Sequence, residues 1–481
     1  MKLSVSKRVL LTVIWSVTLF ILVLIWVGAT GKTKYLVILP CILFFLEIIY
    51  CVSDFSRNIY LFCFLLCFFT FLLGGQIINT IMQVYGYNFS EEIEMHTNIV
   101  LTLSLIGLIL GYFITDRIGR HKKSTYYSIN YQDIYYLNIR FLSKKIFFIT
   151  YFLWVVILLD NVIYVLQSGY LSYYLSYHSR IPAIIRQVGY MAPMALFVFL
   201  ATMPEKKEAK KPIIMYIAYL ILSLGTGRRV YFMTGLLIVF AYMMLRNVIN
   251  PEEEPWIAKK DIIKIILLIP ILLVVMYFFE YIRADAYVGE SSNYSPIIGF
   301  FVRQGTSINV IKYGELFKGR LNPEAHYSFY NLIKWLQGSG EFFNKLFSLN
   351  FNFEIGRQSA ETAMEGTYLA DFISYNANKS SYLMGMGYGS CYIEELFIDF
   401  GYIGVFLGNF LYGIMLCALL KNALGSRNVW KIALGFYITD LLFKAPRATF
   451  DAFIGQSLYL ECWGTILIIY LVSYLYKKRK I

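Results

Sequence analysis

Charge is what this sequence has least of: only 15% of its 481 residues are Asp, Glu, Lys or Arg, against 58% hydrophobic and 18% aromatic. Soluble globular chains carry roughly a quarter charged residues. The shortage, with a mean hydropathy of +0.59, therefore excludes a water-soluble enzyme and indicates a polytopic membrane protein. Cysteine is also scarce. The seven (Cys41, Cys51, Cys63, Cys67, Cys391, Cys417, Cys462) lie mainly in apolar runs, are odd in number and form no CxxC, so neither a disulfide framework nor a zinc site is indicated. Missing too are an Asp-x-Asp pair, HExxH, a Walker A loop, GxSxG and a strand-led GxGxxG. Support is thereby removed for a metal-dependent nucleotide-sugar site or an ATP-driven pump, and no metal or cofactor is expected.

Long apolar runs are what the chain has in plenty. Stretches of about the 17 to 25 residues needed to cross a bilayer fall at Val9–Ala29, Tyr35–Val52, Ile59–Met82, Ile99–Thr115, Ile146–Leu166 and Val188–Met203. Others follow at Ile213–Leu224, Val230–Leu245, Ile262–Glu280, Tyr392–Leu420, Val429–Phe443 and Phe453–Tyr476, two of the twelve being near the short limit. The expected fold is all-α, a single integral domain over residues 1–481 with about twelve transmembrane helices. The run after Arg8 is span-length with no small-residue cleavage site behind it, so it reads as the first span rather than a signal peptide.

An even number of spans puts both termini on one side. A net charge of +13 would suggest nucleic acid in a soluble chain, but here the Lys and Arg concentrate in alternate loops, as the positive-inside rule requires of cytoplasmic ones. The basic clusters at Lys2–Arg8, Arg117–Lys123, Arg140–Lys145, Lys206–Lys211 and Lys477–Lys480 then face the cytoplasm. The other face receives an acidic loop (Glu91, Glu92, Glu94), a tyrosine-rich loop from Gln167 to Gln187, and one long segment, residues 281–391. Loops of such length are usually functional. Within it, Phe329–Leu336 and Phe342–Phe351 alternate aromatic and apolar residues with Lys and Asn at helical spacing, as amphipathic helices on a membrane surface do.

On that outer face the cations stand out. Leu224-Gly225-Thr226-Gly227-Arg228-Arg229-Val230-Tyr231 is a tight turn between two apolar segments, one span away from the lysine loop and hence on the opposite side. With it go Arg180, Arg186, Arg283, Arg303, Arg357, Lys444 and Arg447. Planar guanidinium groups match phosphate oxygens bidentately, so a diphosphate-binding set is expected from Arg228, Arg229, Arg283, Arg180, Arg186, Arg303 and Arg447. The glycines at 225 and 227 would let backbone approach the ligand. The plainer fate of any one of these arginines is to snorkel to the headgroups.

Two acids open the tenth span. Glu395 and Asp399 are four apart and share a helix face, and a carboxylate in lipid costs around 2.5 to 3.5 kcal/mol even on the insertion scale. Such acids turn inward, either as a general base for a sugar hydroxyl or as ion-pair partners of the arginines. His178, among Tyr173, Tyr174 and Tyr177, is a second candidate base or simply a solvated loop histidine.

The Gly225-Thr226-Gly227-Arg228 turn, the Tyr281-Ile282-Arg283 that follows the next span, the long outer segment, and Gly389-Ser390 followed by Glu395-Leu396 and Asp399-Phe400-Gly401 together resemble the bacterial oligosaccharide repeat-unit polymerases. These are the Wzy-type O-antigen and capsule polymerases. Thr226, Arg229 and Glu394 depart from that family's commoner residues, and the first half of the chain matches in hydropathy alone. The resemblance implies a metal-independent glycosyltransferase similar to the polyprenol-dependent (GT-C-like) membrane class, in the bacterial cytoplasmic membrane with its active site on the extracytoplasmic face. It would move a growing glycan from undecaprenyl diphosphate onto the next lipid-linked repeat unit. Membrane lipid and a chain-length regulator protein are the implied partners, and nucleic acid is not. The rivals are a flippase, whose charges would line a mid-membrane cavity, and an O-antigen ligase, which differs in its acceptor.

Overall fold

The computed structural model describes residues 5–82, 89–120, 134–249, 254–278, 295–337, 358–426 and 428–478. Among the described residues there is no strand, and the twelve expected apolar runs fall mainly in helices, the end of Ile262–Glu280 lying outside the described residues. Among the described residues, eight helices are long and apolar enough to cross a membrane: Tyr35–Ser53, Ile59–Met82, Glu91–Ile118, Ile134–Ser168, Ala183–Ala201, Arg229–Ile249, Tyr392–Gly425 and Ala452–Tyr476. Twelve crossings are therefore more than the helices establish. Val429–Phe443 has 15 residues, about 22 Å at the helical rise, which falls short of a ~30 Å hydrocarbon core. Lys206–Ser223 begins in a cluster of lysines and contains Pro212.

The tightest packing joins the helices Glu91–Arg120 and Tyr392–Gly425. In lipid, close approach of backbones replaces the hydrophobic drive between helices. Glycines supply it: a methyl group on Gly107, Gly111 or Gly413 would run into the backbone of Phe406, Phe410 or Leu108. A polar clamp fixes the register. Asn409 donates to Ser104 Oγ at 3.1 Å and accepts from the Tyr392 hydroxyl at 2.5 Å. Beside this pair the helix Ile59–Phe68 is almost wholly enclosed, with Tyr60, Phe64 and Phe68 at 0% exposure. The helix Ile134–Ser168 is the opposite case. Ile149, Phe152 and Leu166 are about two-thirds exposed, and large apolar side chains left open in such numbers belong against lipid rather than water.

The long segment departs from the expectation of an outer surface connector. Its helices Pro296–Gln304 and Ile308–Phe317 enter the bundle, where Phe300, Ile308, Ile311 and Lys312 are fully buried. Gly75 accommodates the backbone of Gly305, which would lie 2.7 Å from an added Cβ. Lys312 is tolerated there because its ammonium meets Glu94 at 2.5 Å, and Gln76 donates to the same carboxylate at 2.8 Å. Runs of nine or ten residues are too short to signal a span, which is why hydropathy assigns them to a loop. Residues 330–337 form a helix of half-exposed and exposed side chains; Phe342–Phe351 lies outside the described residues.

Candidate functional site

The arginine turn is built by local rules. The helix Lys206–Ser223 tightens into a 3-10 turn at Leu224–Thr226, closed by Thr226 Oγ1 donating to Ser223 O at 2.7 Å and by the Gly227 N–H donating to Leu224 O at 2.9 Å. Gly227 then takes φ +75°, a left-handed conformation that costs glycine least, and reverses the chain into the helix Arg229–Ile249. Gly225 has another purpose than ligand approach. A Cβ there would sit 2.8 Å from Val162, so it lets the turn pack on the helix Ile134–Ser168.

The reversal sends the two arginines apart. Arg228 carries its guanidinium 5.0 Å from the centre of the Tyr173 ring, while Arg229 is buried and donates to Met276 O at 3.1 Å. Both line a cavity of about 660 Å³, and Arg447 reaches the same cavity from the turn Ala445–Arg447, donating to Gln304 at 3.2 Å. Polar groups from the long segment complete the lining, among them Gln304, Thr306, Gln358, Asp371, Asn378 and Tyr382. Gly385 and Gly389, at φ +90° and +78°, bring backbone to its edge. Arg228 and Tyr231 also border a second cavity of about 330 Å³, walled largely by aromatics such as Trp154, Tyr216 and Tyr219 and containing the Lys444–Asp440 pair at 2.6 Å.

The expected bases stand elsewhere. Glu395 is fully buried and is not part of the lining of the larger cavity, its two oxygens accepting from Ser390 Oγ at 2.5 Å and from the Phe450 N–H at 2.8 Å. It thus ties the Gly389-Ser390 edge of the cavity to the loop that follows Arg447. Asp399 accepts the N–H groups of Tyr327 and Ser328 at 3.2 and 2.7 Å, and Asp451 accepts from the Leu332 N–H and from Asn331 at 2.7 and 2.9 Å. These three carboxylates bind the long segment and the last outer turn to one another. None pairs with Arg228 or Arg447. His178 is exposed, its Nδ1 2.9 Å from Ser176 O.

The remaining cations divide similarly. Arg180 is exposed, Arg186 half-buried near Tyr190, and Arg303 half-buried on the helix whose next residue, Gln304, lines the cavity. Arg283 and Arg357 lie outside the described residues. One carboxylate went unnoticed in the sequence: Asp371, on the helix Leu369–Ala377, is the single acid among the described residues lining the larger cavity. Burial lifts its carboxyl to about 6, against the Tyr382 hydroxyl and the Lys334 ammonium, which both pull it down. Its sequence surroundings, Tyr-Leu-Ala-Asp-Phe-Ile-Ser, give no sign of this.

A family model described as O-antigen polysaccharide polymerase Wzy matches residues 11–480. No curated protein and no solved structure matches the chain.

Proposed function

The chain belongs to the O-antigen polysaccharide polymerase Wzy family, and from that premise we propose that the arginine-lined cavity is where a growing glycan passes from undecaprenyl diphosphate to the non-reducing end of the next lipid-linked repeat unit. One observation carries this reading: Arg228, Arg229 and Arg447, some 220 residues apart in sequence at the extremes, line a single cavity. When the glycosyl–phosphate bond breaks, negative charge builds on the departing diphosphate. Guanidinium groups held in advance stabilise that charge without reorganising, and each such donor is worth on the order of 2.7 to 4 kcal/mol in comparable oxyanion sites. Positive charge of this kind can serve the leaving group with no metal ion.

The extracytoplasmic placement has geometric support. The helix Lys206–Ser223, about 27 Å long at 1.5 Å per residue, carries its lysines in its first six residues and runs into the arginine turn at its other end. With the lysines in the cytoplasm, the cavity opens near the outer leaflet, where lipid-linked repeat units await polymerisation. Glu395 and Asp399 act in this reading by holding the cavity walls in register.

Incubation of the purified full-length protein with lipid-linked repeat units in detergent tests the reading. A ladder of lengthening glycans is expected. Single transfer onto a different lipid acceptor would instead mark a ligase, and absence of turnover with binding retained would favour a flippase.

A further inference from the structure

The polymerase reading needs a group to take the proton of the attacking sugar hydroxyl, and the acids expected for that task are engaged. Glu395 has both oxygens occupied and Asp399 caps two backbone N–H groups. Asp371, whose hydrogen-bond neighbour is the Tyr382 hydroxyl, stands apart from them. It lines the cavity that holds the arginines, and among the described residues it makes no ion pair. We infer that Asp371 is the general base of the transfer, an assignment that rests on the function proposed above.

The step balances as follows. The acceptor hydroxyl gives its proton to an Asp371 carboxylate oxygen while its own oxygen bonds to the anomeric carbon of the donor glycan. The bond from that carbon to the diphosphate oxygen breaks, its electron pair leaving on the polyprenyl diphosphate beside Arg228, Arg229 and Arg447. Asp371 then releases the proton to water. A base must be mostly ionised yet basic enough to accept a proton, and a carboxyl lifted to about 6 by burial meets both demands near neutral pH.

The charged neighbours leave it in that state. The same cavity is lined by the three arginines and by Tyr170, Tyr231, Tyr368, Tyr382 and Tyr388. The flanking helices Ala360–Glu365 and Lys379–Leu383 bring Glu361, Glu365 and Lys379, and residues 330–337 bring Lys334. On Ile308–Phe317, which also packs against this helix, Lys312 is committed to Glu94 and Glu315 to Lys318.

The test is single-turnover transfer between defined lipid-linked repeat units by full-length protein, followed from pH 5 to 8. In the wild type the rate should rise as the pH passes through about 6, as Asp371 loses its proton, and then level off. Asp371→Asn should lower the plateau by about 10²- to 10⁴-fold and abolish that rise, and formate should restore part of the rate to Asp371→Ala. Melting at pH 7 should be no lower in Asp371→Asn than in the wild type, since a buried charge has been removed. If Asp371→Asn keeps its rate within about threefold and its rise near pH 6 while Arg228→Ala is inactive, the base is another group and the polymerase site stands. If both variants turn over normally, both readings fall. Should Asp371→Asn fail to fold, the profile of Asp371→Glu decides: a displaced rise supports the assignment, an undisplaced one overturns it.

Discussion

The two sides of one wall treat charge in opposite ways. Behind it, Glu395, Asp399 and Asp451 each accept two or more hydrogen bonds from donors on other segments. In front of it, Arg228, Arg229, Arg447 and Asp371 line the larger cavity. A buried carboxylate saturated with donors is a structural joint, because leaving those donors unpaired would cost more than the carboxylate itself. A charge that lines a cavity stands where an entering ligand can meet it. Burial alone therefore does not identify a catalytic acid: Glu395 is the more deeply buried of the two candidates and, by this comparison, the less available.

The largest effects should come from the cavity side. Arg228→Ala or Arg447→Ala is expected to cut transfer by about 10²- to 10³-fold, the range seen when one preorganised donor is lost, with the protein still inserted and its melting temperature little changed. Transfer kinetics beside a fluorescence size-exclusion profile would check this. An arginine variant that unfolds instead would erase the contrast between the two sides.

Behind the wall the loss should appear as stability. Glu395→Ala orphans the Ser390 hydroxyl and the Phe450 N–H, at about 1 to 3 kcal/mol each, and should lower the melting temperature in detergent. Glu395→Gln is the sharper variant. Its carbonyl can still accept from Phe450 and its amide can donate to Ser390, so transfer should stay within about tenfold of the wild type. A general base could not survive that change, which would cost about 10²- to 10⁴-fold; such a loss with normal melting would return Glu395 to the chemistry.

The sequence made some of this legible and hid the rest for physical reasons. Apolar runs located every described long helix, because lipid imposes the same composition on each. The Gly-x-Gly-Arg turn and the stretch from Gly389 to Gly401 point to the family, and of the seven arginines expected to bind diphosphate, Arg228, Arg229 and Arg447 line one cavity. Hydropathy could not separate Pro296–Gln304 and Ile308–Phe317 from a surface loop, since short buried helices with one lysine look polar until Glu94 is known to face Lys312. Asp371 was silent for a related reason. Its significance lies in which residues share its cavity, and residue 371 meets residues 228 and 447 only through the fold.

The smallest predicted effects fall within the tyrosine loop, where the contrast between the two sides recurs on a scale of five residues. Tyr173 places its ring under the Arg228 guanidinium at 5.0 Å, while His178 is exposed with its Nδ1 2.9 Å from Ser176 O. A cation held over an aromatic face gains about 0.5 to 2 kcal/mol, so Tyr173→Ala should loosen Arg228 and slow transfer several-fold, with Tyr173→Phe close to wild type because the ring rather than the hydroxyl orients the cation. His178→Ala should leave both the rate and its pH dependence unchanged. A histidine acting as the base would instead take with it any dependence on pH between 6 and 7, so the profile of this one variant separates proton transfer in the loop from proton transfer in the cavity.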